Sequence, residues 1–180
     1  MQKFIYYHRH GETHFTAKKQ GYGDHQYRAL LTRLGQQEVK MLGAALARRG
    51  PFDLYLTSPL PRAVQSATIV HGYLNNEVDL QIEPDLIEPI NESSTDTWKR
   101  ITRLAQRLVA GKEQKVLLST HGYLCIYLSA YFRGNTLSDI HTFANPPTAS
   151  FGWVELKDGQ PLRGCRISDG HLADLSNSLR

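Results

Sequence analysis

Cysteine is scarce: Cys125 and Cys165 are the only two in 180 residues. Two are too few for a disulfide framework, and their spacing does not suit a zinc knuckle. No apolar run approaches the ~20 residues that a membrane-spanning helix requires. The opening stretch Phe4-Ile5-Tyr6-Tyr7-His8-Arg9-His10 lacks the apolar core of a signal peptide. A cytoplasmic protein with no membrane partner is therefore expected. No strong charge imbalance exists either, since 21 Lys and Arg face 17 Asp and Glu for a net charge of +4. The charges are scattered, so nucleic acid is not an expected partner, and small anionic molecules suit the balance at least as well. There is no repeat, low-complexity tract or linker. With 41% hydrophobic residues, 14 Gly and 8 Pro, the composition is that of a globular chain, and the length suits one domain spanning 1–180. Nothing in the sequence specifies an oligomeric state.

Short apolar runs alternate with helical patterns, which predicts an α/β fold: a three-layer sandwich with a mostly parallel central sheet flanked by helices. The expected strands are Phe4-Ile5-Tyr6-Tyr7, Leu54-Tyr55-Leu56, Leu80-Gln81-Ile82, Val116-Leu117-Leu118-Ser119 and Phe151 to Leu156. Val39, Leu42 and Leu46 mark a first helix, begun by Thr32 and ended at Gly50-Pro51. Ala63, Ala67, Val70 and Leu74 mark a second, opening after Pro61. Trp98, Ile101, Leu104, Ala105, Leu108 and Val109 line a third, and Tyr123 to Phe132 is apolar nearly all round, hence a buried fourth.

Ligands of open α/β sheets bind beyond the carboxyl ends of the strands. Arg9 and His10 follow the first strand, Ser58 and Arg62 the second, Glu88 the third, and His121 the fourth. Two Arg, two His and one carboxylate thus meet at four strand ends. Arg offers a planar fork of donors matched to phosphate, and His serves as nucleophile, base or neutral donor, so the set suits phosphoryl transfer. Other phosphate chemistries fail on spacing. There is no Gly-x4-Gly-Lys-Ser/Thr loop, Cys125 and Arg133 lie too far apart for a Cys-x5-Arg loop, and Tyr55 replaces the second carboxylate that Asp53 would need.

Arg9-His10-Gly11-Glu12-Thr13 resembles the RHG signature of the histidine phosphatase superfamily, also called phosphoglycerate mutase-like. Leu31-Thr32-Arg33-Leu34-Gly35, Ser58-Pro59-Leu60-Pro61-Arg62-Ala63, Leu86-Ile87-Glu88 and Ser119-Thr120-His121-Gly122 follow in that family's order, over roughly residues 4 to 155. The resemblance implies a phosphomonoesterase in which His10 attacks phosphorus and becomes a phosphohistidine. Arg9, Arg62 and His121 would hold the phosphoryl oxygens, and Glu88 would protonate the leaving oxygen. Gly11 would let the chain turn and bring backbone N–H groups near the anion, while Glu12, Thr13 and Thr16 stand as candidates for substrate contact or support. Thr16 occupies a place where many members carry Asn, and His8 one usually apolar. The implied substrate is a phosphorylated small molecule; no cofactor or metal is expected, because Arg9, Arg62 and His121 already supply positive charge.

Rival readings remain. A mutase would need further segments to cover the intermediate, and the compact phosphatase branch is the better match. A metallohydrolase would gather His8, His10 and His14, but Thr13 stands where an acidic residue belongs. A non-catalytic phosphate-binding module would need neither His10 nor Glu88. His25 and His141 are left without an assigned role.

Overall fold

A computed structural model of the chain describes residues 2–74 and 77–173, apart from the side chains of 164–166; the side chain of Cys165 therefore lies outside the described ones. The elements run β1 (Gln2–Arg9), α1 (His14–Ala17), α2 (Arg33–Ala47), β2 (Leu54–Thr57), α3 (Pro61–His71), β3 (Leu80–Ile82), α4 (Ser94–Ala110), β4 (Lys115–Thr120), α5 (Gly122–Phe132), β5 (Phe151–Lys157) and β6 (Gln160–Ser168). Among the described residues, no helix is long and apolar enough to cross a membrane.

One six-stranded sheet has the order β3-β2-β4-β1-β5-β6. β3, β2, β4 and β1 are parallel, while β5 and β6 run antiparallel and complete a mixed sheet. Successive strand side chains point to opposite faces, and here both faces are covered. Ile5, Tyr7, Val116, Leu118 and Leu56 pack in one core with α4 and α5 residues such as Leu104 and Leu128. Tyr6, Leu117 and Tyr55 pack in the other with Val39 and Leu42 of α2 and Val70 of α3. This two-sided burial explains why the central strands are continuous apolar runs rather than alternating ones.

Some element ends differ from the sequence reading, α3 stopping at His71, short of Leu74, and one further strand is present. α4 begins at Ser94 rather than near Trp98, because the Ser93 side chain accepts the Asp96 N–H at 3.1 Å and caps an exposed first turn that carries no apolar stripe. β6 was not expected: it pairs only with β5 at the sheet edge, and its polar sequence QPLRGCRIS shows no core-facing alternation.

The register sets the functional edge. Arg9 pairs with Thr120, and both His8 and Thr57 pair with Ser119. The ladder continues one residue further, where the His10 N–H donates to Thr120 O at 3.0 Å and the Ser58 N–H to Ser119 O at 2.9 Å. His10, His121 and Ser58 therefore leave three adjacent strands at one level.

The loop after β1 lies against the first turn of α2. A β-carbon on Gly35 would run into the main chain of Glu12, and one on Gly11 would stand 2.7 Å from Val39 Cγ2. Two facing glycines thus permit the close approach. Gly35→Ala should lower the unfolding free energy by about 1–3 kcal/mol, the usual cost of overpacking. Urea denaturation measures this, and a stability equal to wild type would show that the loop is free to move off the helix.

Candidate active site

His10 is 2% exposed. Its Nδ1 stands 2.8 Å from the carbonyl oxygen of Gly11, and because a carbonyl only accepts, Nδ1 carries the proton. Nε2 then keeps its lone pair. Burial, reinforced by Arg9 and Arg62, holds the imidazole well below the ordinary histidine value, so it is neutral. A neutral imidazole with a fixed tautomer is a competent nucleophile.

Arg62 is a fully buried guanidinium in the first turn of α3. Nη1 donates to the main-chain carbonyl of Gln26 at 3.0 Å, and Nη2 to the Gln26 side chain at 2.9 Å. The Tyr22 ring lies 3.9 Å from the guanidinium carbon, an arrangement that favours the cation. Arg9 is fixed from the other side by donation from Nη1 to Pro146 O at 2.6 Å.

His121 is fully buried at the end of β4. Its Nε2 lies 2.8 Å from Ser58 Oγ, which also accepts the Leu60 N–H at 3.3 Å. When the Ser58 hydroxyl donates to Nε2, Nδ1 carries a proton and faces the site. Burial, then the charges of Arg62 and Arg9, keep this imidazole neutral as well. Glu88 follows a 3-10 turn, Pro84–Leu86, rather than β3 directly. The segment is anchored by Thr120 Oγ1 donating to Leu86 O at 3.0 Å and by Arg100, which donates to Asp85 O and pairs with Glu92 at 2.5 Å. The Glu88 carboxyl accepts the Tyr123 N–H at the start of α5, and burial, only partly opposed by Arg62 and Arg9, pushes its pKa up to about 7.

Buried polar atoms normally find partners. Arg9 Nε, Arg62 Nε, His121 Nδ1 and Glu88 Oε2 do not, and with Thr102 Oγ1 and His171 Nδ1 they are the six buried side-chain atoms without a hydrogen bond among the described residues. The four belong to one cluster, because both arginines act electrostatically on His10, His121 and Glu88. The His10 and His121 rings are 5.3 Å apart, and His121 Nδ1 faces Glu88 Oε2 at 3.8 Å. A cavity of about 780 Å³ opens above them, lined by Arg9, His10, Glu88 and Tyr123 among others. Three N–H donors and one carboxyl thus surround a buried, neutral imidazole.

The model of the histidine phosphatase superfamily (branch 1) matches residues 5–90, a stretch that holds Arg9, His10, Arg62 and Glu88. Over that stretch the chain is similar to the histidine phosphatase superfamily. Solved structures share its fold. The alpha-ribazole phosphatase from Shigella flexneri is 20% identical, with 93% of this chain and 96% of that one covered at a TM-score of 0.78. Mycobacterial glucosyl-3-phosphoglycerate phosphatase in complex with VO3 is 20% identical over 92% of this chain and 97% of that one, at a TM-score of 0.76. A mutant phosphoserine phosphatase from Entamoeba histolytica in complex with phosphoserine is 18% identical over 94% and 99%, also at 0.76. Among curated proteins no sequence matches significantly.

The remaining residues of the superfamily signature do structural work here. The Gly11 N–H donates to Ser66 Oγ at 3.2 Å rather than pointing at an anion site, and the glycine is required by its packing on α2. Glu12 accepts the Thr32 hydroxyl at 2.7 Å, and Thr13 caps α1 while meeting the Tyr22 hydroxyl at 2.9 Å. Thr16 lines the cavity. His8 is fully buried and lies 2.9 Å from the Tyr55 hydroxyl, which accounts for a histidine inside a strand. His8, His10 and His14 do not gather: among the described residues no group of three or more His, Cys, Asp or Glu is placed to hold a metal. Asp53 accepts the N–H groups of Gln114 and Lys115, both at 2.8 Å, and burial pushes the Cys125 thiol up. His25 packs on Phe15, and His141 lines a neighbouring cavity.

Sequence reasoning missed Tyr22, Gln26 and Glu38. Glu38 accepts the Glu12 N–H at 2.8 Å and the Thr148 hydroxyl at 3.0 Å, tying the loop after β1 to the one before β5. None of the three sits in a motif or at a strand end, and one sequence offers no signal for them.

The raised pKa of Glu88 has a consequence for stability. The folded protein holds this proton more tightly than the unfolded chain, so the linked stability is full below the ordinary value of 4.5 and is lost as pH rises through about 7. Glu88→Gln should therefore match wild type near pH 4 and exceed it by up to ~3 kcal/mol at pH 8. Urea unfolding across this range measures the difference; a gap independent of pH would contradict the shift.

Proposed function

We propose that this protein is a phosphomonoester hydrolase of the cytoplasm, acting on phosphorylated small molecules through a phosphohistidine on His10. The observation that carries this reading is the set of four unpaired buried atoms around His10. Leaving charged and polar groups unpaired away from water is costly, and a phosphoryl group returns a partner to each. Arg9 Nε, Arg62 Nε and His121 Nδ1 donate to its non-bridging oxygens, where charge must be compensated as the bond to the leaving oxygen breaks.

The steps follow from the protonation states. His10 Nε2 attacks phosphorus from the side opposite the leaving oxygen, and the Nδ1 proton stays on the ring, hydrogen-bonded to the Gly11 carbonyl. Glu88, with a pKa of about 7, is poised near neutrality to give its proton to that oxygen. The resulting carboxylate takes a proton from water, whose oxygen attacks the phosphohistidine. The P–N bond then breaks, its electron pair returns to Nε2, and inorganic phosphate leaves. A pKa near the working pH suits one group to both roles. The cavity opens at Tyr123, which is 59% exposed, so the attacking water enters from that side once the alcohol has left. The names of the three structural neighbours given above, each a phosphatase, agree with this reading.

Rapid quench with a phosphate-labelled ester should trap label on the protein that is stable in base and labile in acid. His10→Ala should abolish it. Label persisting in His10→Ala would overturn the assignment.

A further inference from the structure

A second cavity, of about 510 Å³, adjoins the first and shares Tyr123 and Asn145 with it. Ile126 and Tyr127 of α5, Ile140 of the 3-10 turn Leu137–Thr142, and Phe143 supply apolar walls. We infer that this cavity is the leaving-group subsite, and that it takes a neutral alcohol bearing a flat apolar or aromatic body. The inference rests on the phosphatase reading and deepens it.

The shared wall decides the direction. Tyr123 gives its main-chain N–H to Glu88, and Glu88 is the proton donor to the leaving oxygen. Asn145 abuts Gly122, whose β-carbon position lies 3.3 Å from the Arg9 guanidinium carbon. The leaving oxygen must lie against Glu88, so the atoms attached to it pass Tyr123 and Asn145 into the second cavity. Its size is that of a small-molecule site. Charge decides the chemistry. Among the described residues, no Lys, Arg, Asp or Glu lines it, and its polar side chains are Ser94, Ser138, His141, Asn145 and the two tyrosines, Tyr123 and Tyr127. A carboxylate placed there would lose water without gaining a counter-ion, whereas a ring gains from burial and hydrogen-bonds at its rim. Lys19 lines only the phosphate cavity.

The test compares kcat/KM for ethyl phosphate, 2-phenylethyl phosphate and 3-phosphoglycerate, whose leaving alcohols need the same proton. The phenylethyl ester should be preferred over the ethyl ester by about tenfold or more, the scale of burying one ring, and over 3-phosphoglycerate by at least as much. Leu137→Trp, which fills the cavity, should bring the phenylethyl-to-ethyl ratio close to one. Ser138→Arg, at an exposed position on the rim, should shift the preference toward 3-phosphoglycerate. Equal rates on the phenylethyl and ethyl esters, a wild-type preference for 3-phosphoglycerate, or ratios unmoved by both variants would overturn the subsite. Failure to release phosphate from any ester would instead overturn the phosphatase reading itself.

Discussion

Among the described residues Arg62 is a buried guanidinium that forms no direct ion pair with a carboxylate, and the neighbourhood is organised around that fact. Its outer N–H groups are held by two oxygens of Gln26 and its face by Tyr22, while Nε stays unpaired beside His10. A cation in such a place is costly to maintain unless an anion visits it. The same holds for Arg9, fixed through Pro146 with its own Nε unpaired. Held rigidly and left incomplete, the two side chains define where negative charge will sit before any ligand arrives, which is the essence of electrostatic preorganisation.

Burial acts on His10 and Glu88 in opposite directions, and the proposed reaction gains from both shifts. Because low polarity disfavours the charged form, it lowers the value of His10 and raises that of Glu88. The imidazole therefore stays neutral and nucleophilic while the carboxyl keeps a proton to give. The arginines reinforce the first shift and oppose the second, so the final position of Glu88 near neutrality reflects a contest that burial wins. Two groups with divergent pKa values in one cavity are the usual mark of assigned acid and nucleophile roles.

Much of this was legible in the sequence, and the reason is the sheet. β1, β2 and β4 are buried on both faces, so they appear as apolar runs, and the polar residues that end them are the ones the register brings side by side. Arg62 was legible from its place after Ser58-Pro59-Leu60-Pro61, with Pro61 opening α3. Gln26 and Tyr22 were not, because the segment between α1 and α2 has no periodicity and contributes one 3-10 turn, Gly23–His25. Gly11 was legible as necessary, but for a different reason: the steric demand comes from Gly35, 24 positions further on, and only the packed structure pairs them.

On the proposed reading, the unpaired atoms around His10 form one receptor for a phosphoryl group in transfer. The most direct measurement is a crystal structure of the protein with vanadate, which mimics the five-coordinate phosphorus of the transition state. Vanadate should form a vanadium–nitrogen bond to His10 Nε2, with Arg9 Nε, Arg62 Nε and His121 Nδ1 on the equatorial oxygens and Glu88 against the apical one. Vanadate bound through another residue, or held in the cavity with any of these three donors turned away, would contradict it.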